Sequence, residues 1–135
     1  MHYTHYTVMF CIMIISGLLS TMNIWADKAD DIRFSINDIY MTLLMAGWMF
    51  VFMGIYDTEL PILGIGILLV GICIWCIRTQ FLVTNEQYIL GMIPHHSMAV
   101  HMSRQLLRKQ PGRLRKFVKN ILETQQDEIR YMKSL

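Results

Sequence analysis

The chain has 135 residues, of which 54% are hydrophobic and only 16% are charged, and its formal net charge is +2. A soluble domain of this length needs less apolar surface than that. The apolar residues are concentrated in uninterrupted blocks, which argues against a single soluble domain and favours a protein that lies in a bilayer.

Three long runs of the chain carry no charged side chain: residues 7–26, 39–56 and 60–77. Each run is close to the ~20 residues that an α-helix needs to cross the hydrocarbon core of a bilayer. The first run is unlike a cleaved signal peptide, because no Lys or Arg precedes it and it has no clear small-residue cleavage site. The sequence therefore predicts three transmembrane helices within a membrane domain of residues 1–82.

The twelve Lys and Arg residues are unevenly distributed. Lys28 and Arg33 lie between the first two spans, Arg78 closes the third, and the others follow in the tail. The residues before Thr7 and the turn at residues 57–60 contain none. By the positive-inside rule, the N-terminus is expected outside and the tail in the cytoplasm. The expected location is the inner membrane of a bacterium, with the lipid bilayer as the surrounding partner.

The segment between the second and third spans is short and polar. Residues 57–61 predict a tight turn, with Pro61 in the first turn of the third helix, so these two spans should form an antiparallel hairpin. Gly64, Gly66 and Gly71 would let a neighbouring helix approach the third span closely.

Methionines and cysteines within the spans allow two interpretations. The methionines recur every fourth residue along the second span, either as a thioether ladder that passes Cu(I) or, as we favour, as apolar surface. Two cysteines one turn apart in the third span could bind Cu(I) as thiolates, although buried cysteine usually behaves as a small hydrophobic residue. Cys11 lies near the other end of the membrane, so no disulfide with them is expected. These residues are Met41, Met45, Met49, Met53, Cys73 and Cys76.

The tail, residues 83–135, predicts two amphipathic helices joined at Pro111 and Gly112. Residues 84–87 form a capping-box pattern that opens the first helix, and Pro94 should kink it. The apolar positions follow one another at steps of three and four along both helices. On the first helix they are Tyr88, Met92, Ala99, Met102 and Leu106, with His95 on the same seam. One face of the second helix shows Leu114, Phe117 or Val118, Ile121 and Met132, together with the polar residues Gln125 and Glu128.

Two helices joined by a short turn run antiparallel. Reflecting positions about that turn places His95 opposite Glu128 and Met92 opposite Met132. Polar groups on an apolar seam are costly unless they have partners. The seam therefore predicts either a bound metal or a hydrogen-bonded histidine–glutamate pair.

The adjacent histidines and their neighbouring methionines supply imidazole and thioether donors, a mixture that suits copper and not magnesium or calcium. We predict a Cu(I) site formed by His95, His96, Met92 and Met102 and completed or supported by Gln125, Glu128 and Met132. Met98 and His101 lie off the seam and are weaker candidates. The simpler alternative is that one histidine bonds Glu128, the other is exposed, and the methionines are core residues.

The tail resembles the domain of unknown function 305 family. The matching positions on its first helix are Tyr88, residues 92–96, Ala99, Val100 and Met102; those on its second are Ile121, Gln125, Glu128, Ile129 and Met132. The rest of the chain is similar to a three-span membrane branch of that family, through His5, Tyr6, Tyr40, Met41, the methionines of the second span and residues 78–80. The resemblance implies a helical hairpin that pairs into a ferritin-like four-helix bundle and binds copper through His and Met.

Because this chain has one hairpin, a full bundle would need a second copy. The fold predicted is therefore all-α, with three transmembrane helices followed by a C-terminal antiparallel helical hairpin, half of a four-helix bundle. The predicted function is copper tolerance or delivery by a membrane-anchored protein. The alternative is a structural accessory subunit of a larger membrane complex. The partner helices would come from a second copy or from another membrane protein.

No catalytic activity is expected. The Glu-x-x-His pairs of a di-iron site are absent from the sequence, as are a zinc-protease motif, a nucleophile elbow and a phosphate loop. A haem subunit would place histidines within the spans, and none of the five lies in the three uncharged runs. The basic residues 104–119 lack interleaved aromatics apart from Phe117, so lipid head groups or solvent are expected to face them and not nucleic acid.

Overall fold

The computed structural model describes residues 2–135, which are helical with no β-strand among them, and this confirms the all-α prediction. Residue 1 of the predicted membrane domain lies outside the described residues. The α-helices in chain order are α1 (His2–Leu19), α2 (Ile36–Tyr56), α3 (Leu60–Thr79), α4 (Asn85–Arg108) and α5 (Arg115–Ser134). Short 3₁₀-helices occupy Met22–Trp25, Ala29–Asp31 and Gly112–Leu114.

Three helical segments are long and apolar enough to cross a membrane: Tyr3–Trp25, Ile36–Tyr56 and Leu60–Thr79. The three predicted spans are confirmed to that extent. The first segment begins earlier than predicted and includes His5. The statement that no histidine lies within a span was therefore wrong, and the argument against haem that rested on it no longer stands.

Residues of the first compact unit, up to Thr21 and then Ile36–Val83, build the three apolar helices. Tyr6, Phe50 and Ile62 form its buried cluster, one residue from each helix. The Tyr6 hydroxyl donates a hydrogen bond of 2.6 Å to Asp57 in the turn between α2 and α3. Pro61 lies in the first turn of α3, as predicted.

Helices α2 and α3 approach each other closely where glycine removes a side chain. A Cβ atom at Gly66 would lie 2.6 Å from the backbone nitrogen of Val51, and one at Gly54 would lie 2.5 Å from that of Leu63. A Cβ atom at Gly64 or Gly71 would have no neighbour within 4 Å. Of the three glycines predicted to allow close approach, only Gly66 does so, and Gly54 was not predicted.

The four methionines of α2 divide equally between the exposed surface of the helix and its packed side. Met41 and Met45 are exposed, whereas Met49 and Met53 pack against the cluster of Tyr6, Phe50 and Ile62. This arrangement agrees with the interpretation of the ladder as apolar surface. The three cysteines are free: Cys73 and Cys76 are buried, and Cys11 is exposed.

The second compact unit combines two segments, Met22–Ser35 and Thr84–Leu135. The connector between the first two spans thus packs with the tail. The predicted domains, 1–82 and 83–135, stay predictions. Within this unit α4 packs on α5 through Ile93, Val100 and Ile129, with Ile89, Leu122 and Met132 around them.

Candidate metal site on α4

Helix α4 begins as the sequence predicts. The Thr84 side chain accepts a hydrogen bond from the backbone N–H of Gln87, which is the N-cap contact expected from the capping-box pattern. The helix continues through Pro94, which is buried. Because proline has no N–H, the helical turn before His95 and His96 lacks one of its backbone hydrogen bonds.

His96 is buried, and both nitrogens of its ring are engaged. Nδ1 lies 2.9 Å from the carbonyl oxygen of Met92, and Nε2 lies 2.8 Å from a carboxylate oxygen of Glu128. A carbonyl oxygen only accepts hydrogen bonds, so Nδ1–H is the donor to Met92. His96 therefore ties α4 to α5, and Nε2 would have to leave Glu128 before it could bind a metal in its place.

His95, by contrast, is exposed. Its ring lies beside that of His96, with 6.0 Å between the ring centroids. The prediction that His95 faces Glu128 was wrong, because His96 takes that place. The predicted histidine–glutamate pair is present, but it is formed by His96 and not by His95.

The physical reason is a rotation of the interface by about one residue. Ile93, His96 and Val100 follow one another at steps of three and four, so they share one face of α4. Of the predicted seam one residue away, Tyr88 is 54% exposed and Met102 is 51% exposed, whereas Met92 and Ala99 are only half-buried.

The other predicted ligands differ in how far they are buried. Met132 packs against the cluster of Ile93, Val100 and Ile129. Met92 and Gln125 are half-buried, and Met102 is exposed. Met98, which was considered a weaker candidate, is half-buried one turn after His95.

Ser97 is the polar residue that the sequence analysis missed. It is fully buried, and its hydroxyl joins α4 to the connector. The hydroxyl accepts a hydrogen bond of 2.8 Å from the backbone N–H of Asp27 and donates one of 2.6 Å to the carboxylate of Asp31. A serine directly after the two histidines is visible in the sequence, but no local pattern there indicates that its partners lie in the connector.

Ion pairs hold the connector at two further points. Arg104 of α4 lies 3.1 Å from the carboxylate of Asp27. Lys133 of α5 lies 2.6 Å from the carboxylate of Asp31, which is buried, and also bonds Asp30. The acidic connector and the basic tail are complementary in charge, which the sequence shows, but the pairing of individual residues is not encoded in any local pattern.

The Lys133 contacts shift the ionisation of both exposed partners. A hydrogen bond from Lys133, and then its charge, lower the pKa of the Asp30 carboxyl below its ordinary value of 3.8. Burial by itself would lower the pKa of Lys133, but its hydrogen bonds to Asp30 and Asp31 outweigh this effect and raise it above 10.5. Both groups are therefore charged near neutral pH.

A cavity of about 310 Å³ lies between the connector and the tail helices. Its floor is apolar, formed by Val100 and Ile129, and its walls are charged on both sides. Within residues 2–135, no group of three or more His, Cys, Asp or Glu side chains is arranged to hold a metal ion.

Two comparisons with known proteins give a match. The family described as "Domain of unknown function (DUF305)" matches residues 79–135. An uncharacterized protein of Acanthamoeba polyphaga mimivirus, L153, is 43% identical over 130 residues, which cover 90% of this chain and 84% of that protein. The chain belongs to the DUF305 family. The DUF305 segment begins at Thr79, the last residue of α3, and otherwise consists of α4, α5 and their junctions.

No solved structure matches this DUF305 chain. The family resemblance predicted from residues 85–135 is confirmed by the match. The copper chemistry, the four-helix bundle and the bacterial inner membrane that were expected with it stay predictions.

Proposed function

We propose that this DUF305 protein is membrane-anchored and binds Cu(I) at the exposed edge of α4, in copper tolerance or delivery. The observation that carries the proposal is the exposure of His95, whose ring nitrogens have no hydrogen-bond partner among residues 2–135. Met92 and Met98 lie three residues to either side of it, so they occupy the neighbouring turns of the same helix. One imidazole and two thioethers form a soft donor set that suits Cu(I).

His96 and Glu128 support this site without binding the metal. The bond from Nδ1 of His96 to the Met92 carbonyl and the contact of Nε2 with Glu128 fix the turn that presents His95. Met132 and Gln125 belong to the α4–α5 interface in this proposal, and Met102, two turns beyond His95, is too distant along the helix to complete the first three ligands.

The topology proposed is three transmembrane helices, an outside N-terminus and a cytoplasmic tail. The contacts of Ser97 with Asp27 and Asp31 support it, because they require the connector and the tail to lie on the same side of the membrane. Two helices separate these segments in the chain, and two crossings return the chain to the same side. Which side is inside follows from the Lys and Arg distribution alone.

We further propose that α4 and α5 form an antiparallel hairpin that pairs with a second copy into a four-helix bundle. Ser97 and His95 are two residues apart, about 200° around the helix, so the connector and the metal-binding edge lie on opposite sides of α4. Helix α5 exposes an aromatic stripe, Phe117 and Tyr131, and we assign the pairing with a second copy to this stripe, which leaves His95 accessible. Exposed aromatic and apolar side chains in such a stripe usually mark an interaction surface.

The same stripe supports the second candidate function, an accessory subunit whose tail docks on helices of another membrane protein. In that case no copper would bind, and the protein alone in detergent would be monomeric. A copper-binding dimer and a metal-free monomer are therefore the two outcomes to separate.

The test is a competition for Cu(I) between a coloured chelator and the full chain in mild detergent, under reducing conditions. His95→Ala should lower Cu(I) affinity at least tenfold, and His101→Ala, its control on the same helix, should leave it unchanged. Met92→Leu and Met98→Leu remove a thioether while nearly conserving volume and should each weaken binding.

The matched variant for the alternative site is Met132→Leu. If Met132→Leu weakens Cu(I) binding and His95→Ala does not, the ligands lie on the α4–α5 seam as first predicted from sequence. If the parent protein binds no Cu(I), the copper proposal fails and the accessory subunit becomes the better interpretation.

A further inference from the structure

Connector residues 27–31 form a clasp on the tail, held by Ser97, Arg104 and Lys133. We propose that this clasp positions the turn of α4 that carries the copper ligands, so that clasp closure and Cu(I) binding strengthen each other. The inference rests on the copper site proposed above, and it assigns Ser97 and Asp31 as positioning residues for that site.

The first step is that the turn of α4 before His95 lacks a backbone hydrogen bond. Pro94 removes one backbone hydrogen bond directly before His95. Side chains hold the turn in place of that bond: His96 ties it to α5, and Ser97 ties it to the connector. His95 lies between Pro94 and these two anchored residues, so its position relative to Met92 and Met98 depends on both ties.

The second step is the strength of the Ser97 tie. Ser97 is fully buried, and its hydroxyl both accepts from the Asp27 backbone and donates to Asp31. The Asp31 side chain is 4% exposed, and Lys133 neutralises its charge at 2.6 Å. Removal of the hydroxyl would leave a part-buried N–H of Asp27 and the buried carboxylate of Asp31 each short of one partner, which weakens the attachment of the connector to α4.

The third step is reciprocity. If an open clasp lowers Cu(I) affinity by some factor, Cu(I) must stabilise the closed clasp by the same factor. Couplings between sites in proteins are typically 5- to 150-fold. The two sides of the coupling can be measured separately, one by copper affinity and the other by hydrogen exchange of the connector.

The experiment uses the full chain in mild detergent and measures hydrogen exchange of the peptide that covers residues 27–31, together with Cu(I) affinity. Ser97→Ala should speed exchange in that peptide and lower Cu(I) affinity at least fivefold. Addition of Cu(I) to the parent should slow the same exchange. Ser103→Ala is the matched control, since Ser103 is also a buried serine of α4; neither quantity should change in it.

A second variant keeps the inference falsifiable if Ser97→Ala does not fold. Asp31→Asn conserves size and can still accept from Ser97, but it loses the charge attraction of Lys133. It should change both quantities in the same direction by a smaller factor.

Three results would overturn the inference. Faster connector exchange with unchanged Cu(I) affinity, in either variant, would refute the coupling while the proposed copper function stands. Cu(I) binding that leaves connector exchange in the parent unchanged would do the same. A parent chain that binds no Cu(I) would overturn the proposed function and this inference with it.

Discussion

Replacement of Gly66 by alanine tests the packing of α2 against α3. The added Cβ would lie 2.6 Å from the Val51 nitrogen and 2.9 Å from the Phe50 carbonyl carbon, both of them backbone atoms. Ordinary van der Waals contact begins at 3.4 Å, so the two helices would have to separate by most of an ångström. Overpacking of this kind typically costs about 1–3 kcal/mol.

The matched controls are Gly64→Ala and Gly71→Ala in the same helix. They make the same chemical change, but the new methyl group meets nothing within 4 Å. In helix interiors alanine is favoured over glycine by about 1 kcal/mol, so these controls should be neutral or slightly stabilising. Because this gain applies equally to Gly66→Ala, it cancels in the comparison, and the expected difference in the free energy of unfolding between Gly66→Ala and either control is the overpacking cost of about 1–3 kcal/mol.

Reversible unfolding in mixed detergents, followed by helical circular dichroism, measures this difference. A Gly66→Ala protein as stable as Gly64→Ala would refute the close approach of α2 and α3 at this point. Gly54→Ala provides an independent check from the other helix, because its Cβ would meet the Leu63 backbone.

Two further predictions concern topology and pH. A cysteine placed at Ser134 should resist impermeant thiol reagents in intact cells, whereas ready labelling would put the tail outside. The contribution of the Asp30–Lys133 pair to connector docking should be constant around neutral pH. Because docking lowers the pKa of Asp30, this contribution is lost only as the pH falls below 3.8. Because docking raises the pKa of Lys133, the contribution is also lost as the pH rises above 10.5. Fluorescence of Trp25, with Trp48 and Trp75 replaced by Phe, would follow docking, and Lys133→Met should abolish these two transitions.

Features that depend on neighbouring residues along the chain were predictable from the sequence. The three apolar helices follow from uncharged runs of sufficient length, and the start of α4 follows from the Thr84 cap. The end of α4 before Pro111 and Gly112 was likewise predicted. In each case the deciding interactions lie within a few residues of one another, so no knowledge of the tertiary structure was needed.

The face that each helix turns toward its neighbour was less predictable. Gly64, Gly66 and Gly71 have equal intrinsic capacity for close packing, and only the rotation of α3 about its axis decides that Gly66 meets α2. A sequence without a defined neighbour does not specify that rotation.

The interface of α4 shows the same effect more strongly. Buried Ser97 and Ser103 alternate there with Ile93 and Val100, so the buried face looks too polar for a hydrophobic pattern to find. Ser97 can be buried because the connector, distant in sequence, supplies its hydrogen-bond partners. The face of α4 that carries Tyr88 and Met102 is more apolar in composition, so the apolar periodicity predicted the helix interface there, although both residues are exposed.

Because the α4 interface includes His96 and leaves His95 exposed, the kinetics of Cu(I) transfer expected of a site on α4 also change. Ligands on a buried seam would release Cu(I) only after the helices separate, so transfer to a chelator would proceed at a rate independent of chelator concentration. His95 is exposed, so a competing ligand can contact the bound ion before the protein ligands leave. We expect the transfer rate to rise linearly with chelator concentration, as measured by stopped-flow absorbance on the detergent-solubilised chain, and this behaviour suits delivery more than storage. A rate that stays constant over a tenfold range of chelator would contradict an exposed site and would return the ligands to the seam with Glu128 and Met132.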